Sequence, residues 1–115
     1  MGDFKLLLAA DEDCRLRVAL FGEFDLAGVK PFCEAVTPAI DSGDYQEIEF
    51  DLERLSFIDS SGLHALADAD SSMRARGGTV RVFCSAQRLI KTFQLVRLDS
   101  VLTIVPESRG ARAAA

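Results

Sequence analysis

The stretch Phe57-Ile58-Asp59-Ser60-Ser61-Gly62-Leu63 is where the residue types that do chemistry crowd together: a carboxylate, two hydroxyls and a glycine ahead of an apolar run. Between a strand and a helix, such a turn has a structural use. Asp59 or one of the serines accepts hydrogen bonds from the exposed N–H groups of the helix that follows. It also has a chemical use. A serine hydroxyl at a helix N-terminus sits where the macrodipole and the free N–H groups favour an anion, so a phosphate added there is tolerated by the domain. That phosphate would bring about −1.5 to −2 charges to the surface beside the Asp59 carboxylate, switching the surface without unfolding the protein. The residues alone leave both uses open.

Little else in the chain suggests chemistry. The single histidine, His64, stands four positions after Ser60. A nucleophilic triad needs a base held by a third group, and none is evident, so a hydrolase built on Ser60 and His64 has little support. A lone histidine on an amphipathic helix reads as a surface residue. There is no GxGxxG and no GxxxxGK[ST] loop to cradle a phosphate. Asp68 and Asp70, like Glu47 and Glu49, are two residues apart. That spacing splays a helical pair and lines a strand pair along a solvated edge, so neither reads as an acid–base dyad. Cys14, Cys33 and Cys84 form an odd, scattered set with no metal-ligand spacing and no disulfide framework. They read as reduced, buried thiols. No catalytic residue, metal site or cofactor is expected.

The elements that must position Ser60 follow from periodicity. Phe4 to Ala9 and Arg15 to Phe21 read as strands, joined at Asp11-Glu12-Asp13 into an antiparallel hairpin. Gly22-Glu23-Phe24-Asp25 breaks the second strand. Leu26, Val29, Cys33, Val36 and Ile40 then recur at helical steps. Pro31 suits a first helical turn, and Pro38 is expected to kink or end that helix. Ile48, Phe50 and Leu52 alternate with acids as a third strand. A second helix carries Leu63, Leu66, Ala67 and Met73 on one face and stops at Gly77-Gly78. Thr79 to Cys84 is a strand with Val80 and Val82 inward. Ser85 is expected to cap a third helix carrying Leu89, Phe93 and Val96, and Val101 to Val105 forms a last strand. Two strands followed by alternating helices and strands make an α/β layer with crossover connections.

The chain has 115 residues, 49% hydrophobic and 27% charged, which suits one domain with a core of its own. The net charge of −5 argues against a phosphate-backbone partner, because Arg74, Arg76, Arg81 and Arg88 are diluted by Asp68, Asp70 and Asp99. The run Leu6 to Ala10 is too short for a signal peptide, and no apolar run approaches the roughly 18 residues of a membrane span. The expectation is a soluble, cytoplasmic domain with neither nucleic acid nor membrane insertion.

Asp51-Leu52-Glu53-Arg54-Leu55-Ser56-Phe57-Ile58-Asp59-Ser60-Ser61-Gly62-Leu63 resembles the signature of the STAS-domain anti-sigma factor antagonists. The resemblance continues through Gly22-Glu23-Phe24-Asp25, Arg76-Gly77-Gly78 and the segment Leu95 to Leu102, and so spans most of the chain. It implies an α/β fold: a single STAS-type domain over residues 1–105, with a mixed β-sheet and helices packed mainly on one face, then a short flexible tail over 106–115. It also implies Ser60 as phospho-acceptor, with Asp59, Ser61, Gly62 and Asp25 as its motif neighbours. Glu23, Asp25, Ser60, Leu63, His64 and Asp68 are the implied partner-binding residues. The implied partners are an anti-sigma factor, often itself a serine-protein kinase that supplies ATP and magnesium, and a serine phosphatase. The domain itself is not an enzyme in this scheme.

The chain departs from the pattern in places. Val96-Arg97 replaces a Thr-Gly or Ser-Gly pair, so the third helix must close differently. Pro38 is unusual in the first helix, His64 stands where small apolar residues are commoner, and a final helix is short or absent. A structural STAS subunit of a stress-sensing or membrane-lipid transport complex is the alternative role.

Overall fold

Asp11 organises the first turn: its carboxylate accepts hydrogen bonds from the backbone N–H groups of Asp13 (2.8 Å) and Arg15 (3.2 Å) and pairs with the Arg15 guanidinium at 3.0 Å. In this computed structural model, which describes residues 3–107, that turn folds strand β1 (Lys5–Ala10) antiparallel onto β2 (Arg15–Phe24). Helix α1 (Leu26–Ser42), β3 (Glu47–Ile58), α2 (Ser60–Ala75), β4 (Thr79–Phe83), α3 (Gln87–Leu95), a 3-10 turn (Leu98–Ser100) and β5 (Thr103–Val105) follow. The strands form one five-stranded sheet in the order β1-β2-β3-β4-β5, and every pair after the first is parallel. A parallel neighbour needs a long crossover, and α1, α2 and α3 supply the three.

Leu16, Val18 and Leu20 on β2, Ile48, Phe50 and Leu52 on β3, and Val80 and Val82 on β4 are buried in one cluster with Phe32, Val36 and Ile40 of α1, Leu63, Leu66 and Met73 of α2, and Leu89 and Phe93 of α3. The helices therefore pack on one face of the sheet. A file of rings runs through this layer from Phe4 to Phe24, Phe32 and Phe50, with centroids 4.5, 5.1 and 5.5 Å apart. Each such side chain contributes on the order of 1.5–3 kcal/mol by leaving water.

Several sequence expectations need correction. The buried face of α1 is Gly28, Phe32, Val36 and Ile40, whereas Leu26 is 73% exposed and Cys33 lies outside. Gly28 sets this phase: a Cβ there would meet the Phe4 and Phe24 rings at 3.0 to 3.1 Å, so the helix turns its glycine, and then Phe32, inward. Neither proline ends α1. Pro31 lies past the first turn, and the helix continues through Pro38 to Ser42, where Gly43 closes it in the left-handed conformation (φ 74°). Each proline leaves the carbonyl four residues earlier, of Ala27 or Glu34, without its helical donor. All four residues are exposed, so water takes that place.

Strand β2 does not break at Gly22. It passes through that residue at φ 87° with a shift in register and runs on to Phe24, and the Ser56 hydroxyl donates to the Gly22 carbonyl (3.0 Å) to hold the two strand ends together. Ser85 does not cap α3. Its hydroxyl and N–H donate to the Glu53 carboxylate (2.8 and 2.9 Å), and Ala86 begins the helix without a side-chain cap. Val96 falls at the end of α3, exposed, and the last strand starts at Thr103.

Cys14 and Cys33 are exposed, and only Cys84 is buried, its thiol pushed up by that burial. Glu49 and Asp70, expected on solvated edges, are 4% and 2% exposed. Glu49 faces away from the helices in the same lateral row as Arg17 and Arg81. Among the described residues no helix is long and apolar enough to cross a membrane. From residue 108 onward the tail lies outside the described residues.

Candidate functional site

Parallel β2 and β3 end side by side, with Phe24 in register with Ile58, so the turns into α1 and α2 leave the same end of the sheet. Each turn carries an aspartate. Asp25 caps α1, its carboxylate accepting from the Ala27 N–H at 3.0 Å. Asp59 caps α2, with Oδ1 accepting from the N–H groups of Ser61 (2.9 Å) and Gly62 (3.2 Å). The Asp59 N–H in turn donates to the Phe24 carbonyl (3.2 Å), which ties the second turn to the first. Asp59, rather than either serine, is therefore the cap.

Gly62 makes this close approach possible. A Cβ at that position would lie 2.7 Å from the Phe24 carbonyl oxygen and 2.9 Å from Phe24 and Ile58 side-chain atoms. The first turn of α2 thus rests directly on the backbone of β2. Ser60, the first residue of α2, points away from that contact and is exposed, while Ser61 is half-buried. The Ser60 hydroxyl has no hydrogen-bond partner among the described residues.

The structure brings Glu23, Asp25, Ser60, Leu63 and His64 to this one end of the molecule, in different states, whereas Asp68 stands two turns further along α2, beside α1. Glu23 and Asp25 are half-buried, and His64 and Asp68 are exposed on α2. Leu63 is buried in the core and meets the surface as the floor of a small pocket, which it lines with Ser60, His64, Val96 and Leu98. The last two come from the segment after α3, where Arg97 adopts the left-handed conformation (φ 61°). A non-glycine residue thus closes the helix, at a conformational cost.

Sequence reasoning missed the apolar side chains on this surface. Leu26 in the first turn of α1, Leu95 (85% exposed) and Val96 (48% exposed) stand out in solvent. For Leu26 a partial signal lay in the phase of α1, which a capping Asp25 fixes; for Leu95 and Val96 the sequence carried none. Further along α2, Asp70 is covered and held by Arg74 Nε at 3.1 Å, and the same guanidinium donates to the Val101 carbonyl. Burial pushes the Asp70 carboxyl up, against the opposing pull of Arg74.

Residues 7–111 match the model of the STAS domain family, and the chain belongs to that family. It is 24% identical over 95 residues to the anti-sigma-B factor antagonist of Bacillus subtilis (strain 168), an alignment covering 83% of this chain and 85% of that protein. Among solved structures, an anti-sigma factor antagonist from Mycobacterium paratuberculosis superposes with a TM-score of 0.83 at 21% identity, covering 97% of this chain and 93% of that one. The Bacillus cell fate determinant SpoIIAA in its phosphorylated form superposes with a TM-score of 0.72 at 24% identity, covering 96% of this chain and all of that one (100%). At these identities the structural likenesses define the fold: one domain with a mixed sheet and three helices.

Proposed function

We propose that this protein is an anti-sigma factor antagonist that binds an anti-sigma factor while Ser60 is unmodified, frees a sigma factor by doing so, and is switched off by phosphorylation of Ser60. The observation that carries this reading is the position of Ser60. It is exposed and without a hydrogen-bond partner at the first position of α2, while the adjacent Asp59 is committed to the Ser61 and Gly62 N–H groups. A phosphoryl group can be added to that hydroxyl without removing any bond that holds the turn.

The names of the relatives support the role, and the phosphorylated form of SpoIIAA supports the switch. The domain supplies a hydroxyl and a surface. The anti-sigma factor, acting as serine kinase, brings ATP and magnesium, and a separate serine phosphatase reverses the step. The protein works where its sigma factor does, in the cytoplasm. Glu23, Asp25, His64 and Asp68 form the polar part of the docking face, and Leu26 and Val96 the apolar part.

Incubation with the anti-sigma kinase and ATP, followed by peptide mapping, tests the assignment. One phosphate is expected on Ser60, and none in Ser60→Ala, which still unfolds cooperatively. A phosphate on Ser61, or none at all, overturns it.

A further inference from the structure

Ser60 and His64 are one helical turn apart on α2, both exposed, and both line the pocket completed by Leu63, Val96 and Leu98. Side chains at this spacing are neighbours, with Cβ atoms about 5–6 Å apart. On a helix the Cα–Cβ bonds tilt toward the N-terminus, so the His64 ring leans back over Ser60 rather than away from it. The imidazole has no hydrogen-bond or ion-pair partner among the described residues.

Resting on the phosphorylation of Ser60 proposed above, we infer that His64 is the hydrogen-bond donor that holds the phosphate on Ser60, at the pocket edge formed with Val96 and Leu98. A ring N–H of His64 donates to a phosphate oxygen, and a hydrogen bond to a charged acceptor is stronger than one between neutral groups.

The other charges in the neighbourhood do not supply this device. Asp59 and Asp25 are caps turned to backbone N–H groups, and Asp68, one turn beyond His64, carries the same sign as the phosphate. Arg97, between the two pocket residues of the segment after α3, is the one competing cation of that segment and always charged.

The test uses the full chain with phosphoserine built in at position 60 during translation, so that no kinase is needed. Phosphorus NMR follows the second ionisation of the phosphate, near pH 6 for phosphoserine. His64→Gln should raise that midpoint by about half a pH unit or more, roughly threefold in proton affinity. Arg97→Gln should leave it in place, and His64→Gln should not move the thermal midpoint of the unphosphorylated protein. An unchanged phosphate midpoint in His64→Gln, or a larger shift from Arg97→Gln, overturns the inference. Because the phosphoserine is incorporated during translation, that result would leave the kinase assignment standing. A kinase that ignores Ser60 would in turn leave this measurement valid.

Discussion

Gly62 lies against the main chain of Phe24 so closely that a single added carbon would fall 2.7 Å from the Phe24 carbonyl oxygen. That oxygen also receives the Asp59 N–H, so the start of α2, the Asp59 cap and the end of β2 are one packed unit. The geometry of Ser60 is inherited from it.

Replacement of Gly62 by alanine tests that unit. The obstructing atom is backbone, which cannot swing aside as a side chain would, and overpacking of this sort costs about 1–3 kcal/mol. Urea unfolding of Gly62→Ala should show a loss in that range with an unchanged slope. A loss below a few tenths of a kcal/mol would mean that α2 is free to lift away from β2.

Much of this unit was legible in the sequence. Alternation located the strands, the Asp-Ser-Ser-Gly turn located the start of α2, and Asp59 was one of three candidate caps. What misled was local chemistry overruled by tertiary contacts. Pro38 reads as a helix stop, but its unmatched carbonyl belongs to an exposed turn where water replaces the donor. Ser85 reads as a cap, but Glu53, 32 residues earlier in the chain, takes both its hydroxyl and its N–H. Asp70 reads as a solvated acid, but it is 2% exposed and paired with Arg74, whose guanidinium is in turn anchored on the Val101 carbonyl 27 residues away. The apolar residues flanking Ser60 were hidden for a related reason, since their exposure depends on helix phase rather than on residue type.

Asp70 and Arg74 should give the protein a distinctive pH dependence. The folded-state pKa of Asp70 is raised, with burial as the larger cause and Arg74 opposing it. A carboxyl with a raised folded pKa is more protonated in the folded chain, so its ionisation opposes folding. Stability from this group is therefore gained as pH falls through the raised folded pKa and lost again on the way up. Arg74→Ala removes the partner of a covered carboxylate and should cost about 1–3 kcal/mol near pH 7. The loss should shrink as the pH is lowered and Asp70 takes up a proton. Chemical denaturation of both proteins across pH 4 to 8 measures this, and a loss that grows on acidification would show that Asp70 is not the group involved.

The acidic part of the proposed docking face can be tested separately. Asp68 is exposed on α2 two turns from Ser60, whereas Glu12 is exposed on the β1–β2 turn at the opposite end of the strands. Charge on a docking surface sets association rate and specificity more than affinity. Asp68→Lys should slow association with the anti-sigma factor by about tenfold at low salt and flatten its salt dependence, while Glu12→Lys changes neither. Stopped-flow association kinetics decide between them. Equal slowing by both substitutions would assign the effect to net charge rather than to this face.

Release by charge at Ser60 is the central claim, and titration calorimetry against the anti-sigma factor tests it most directly. Ser60→Asp places a carboxylate at the start of α2, where the helix dipole makes it neutral or favourable by a few tenths of a kcal/mol, so the fold should be intact. Ser60→Asp and the Ser60-phosphorylated protein are each expected to bind at least tenfold more weakly than the unmodified chain, about 1.4 kcal/mol or more. Undiminished affinity in both, with the fold retained, would contradict it.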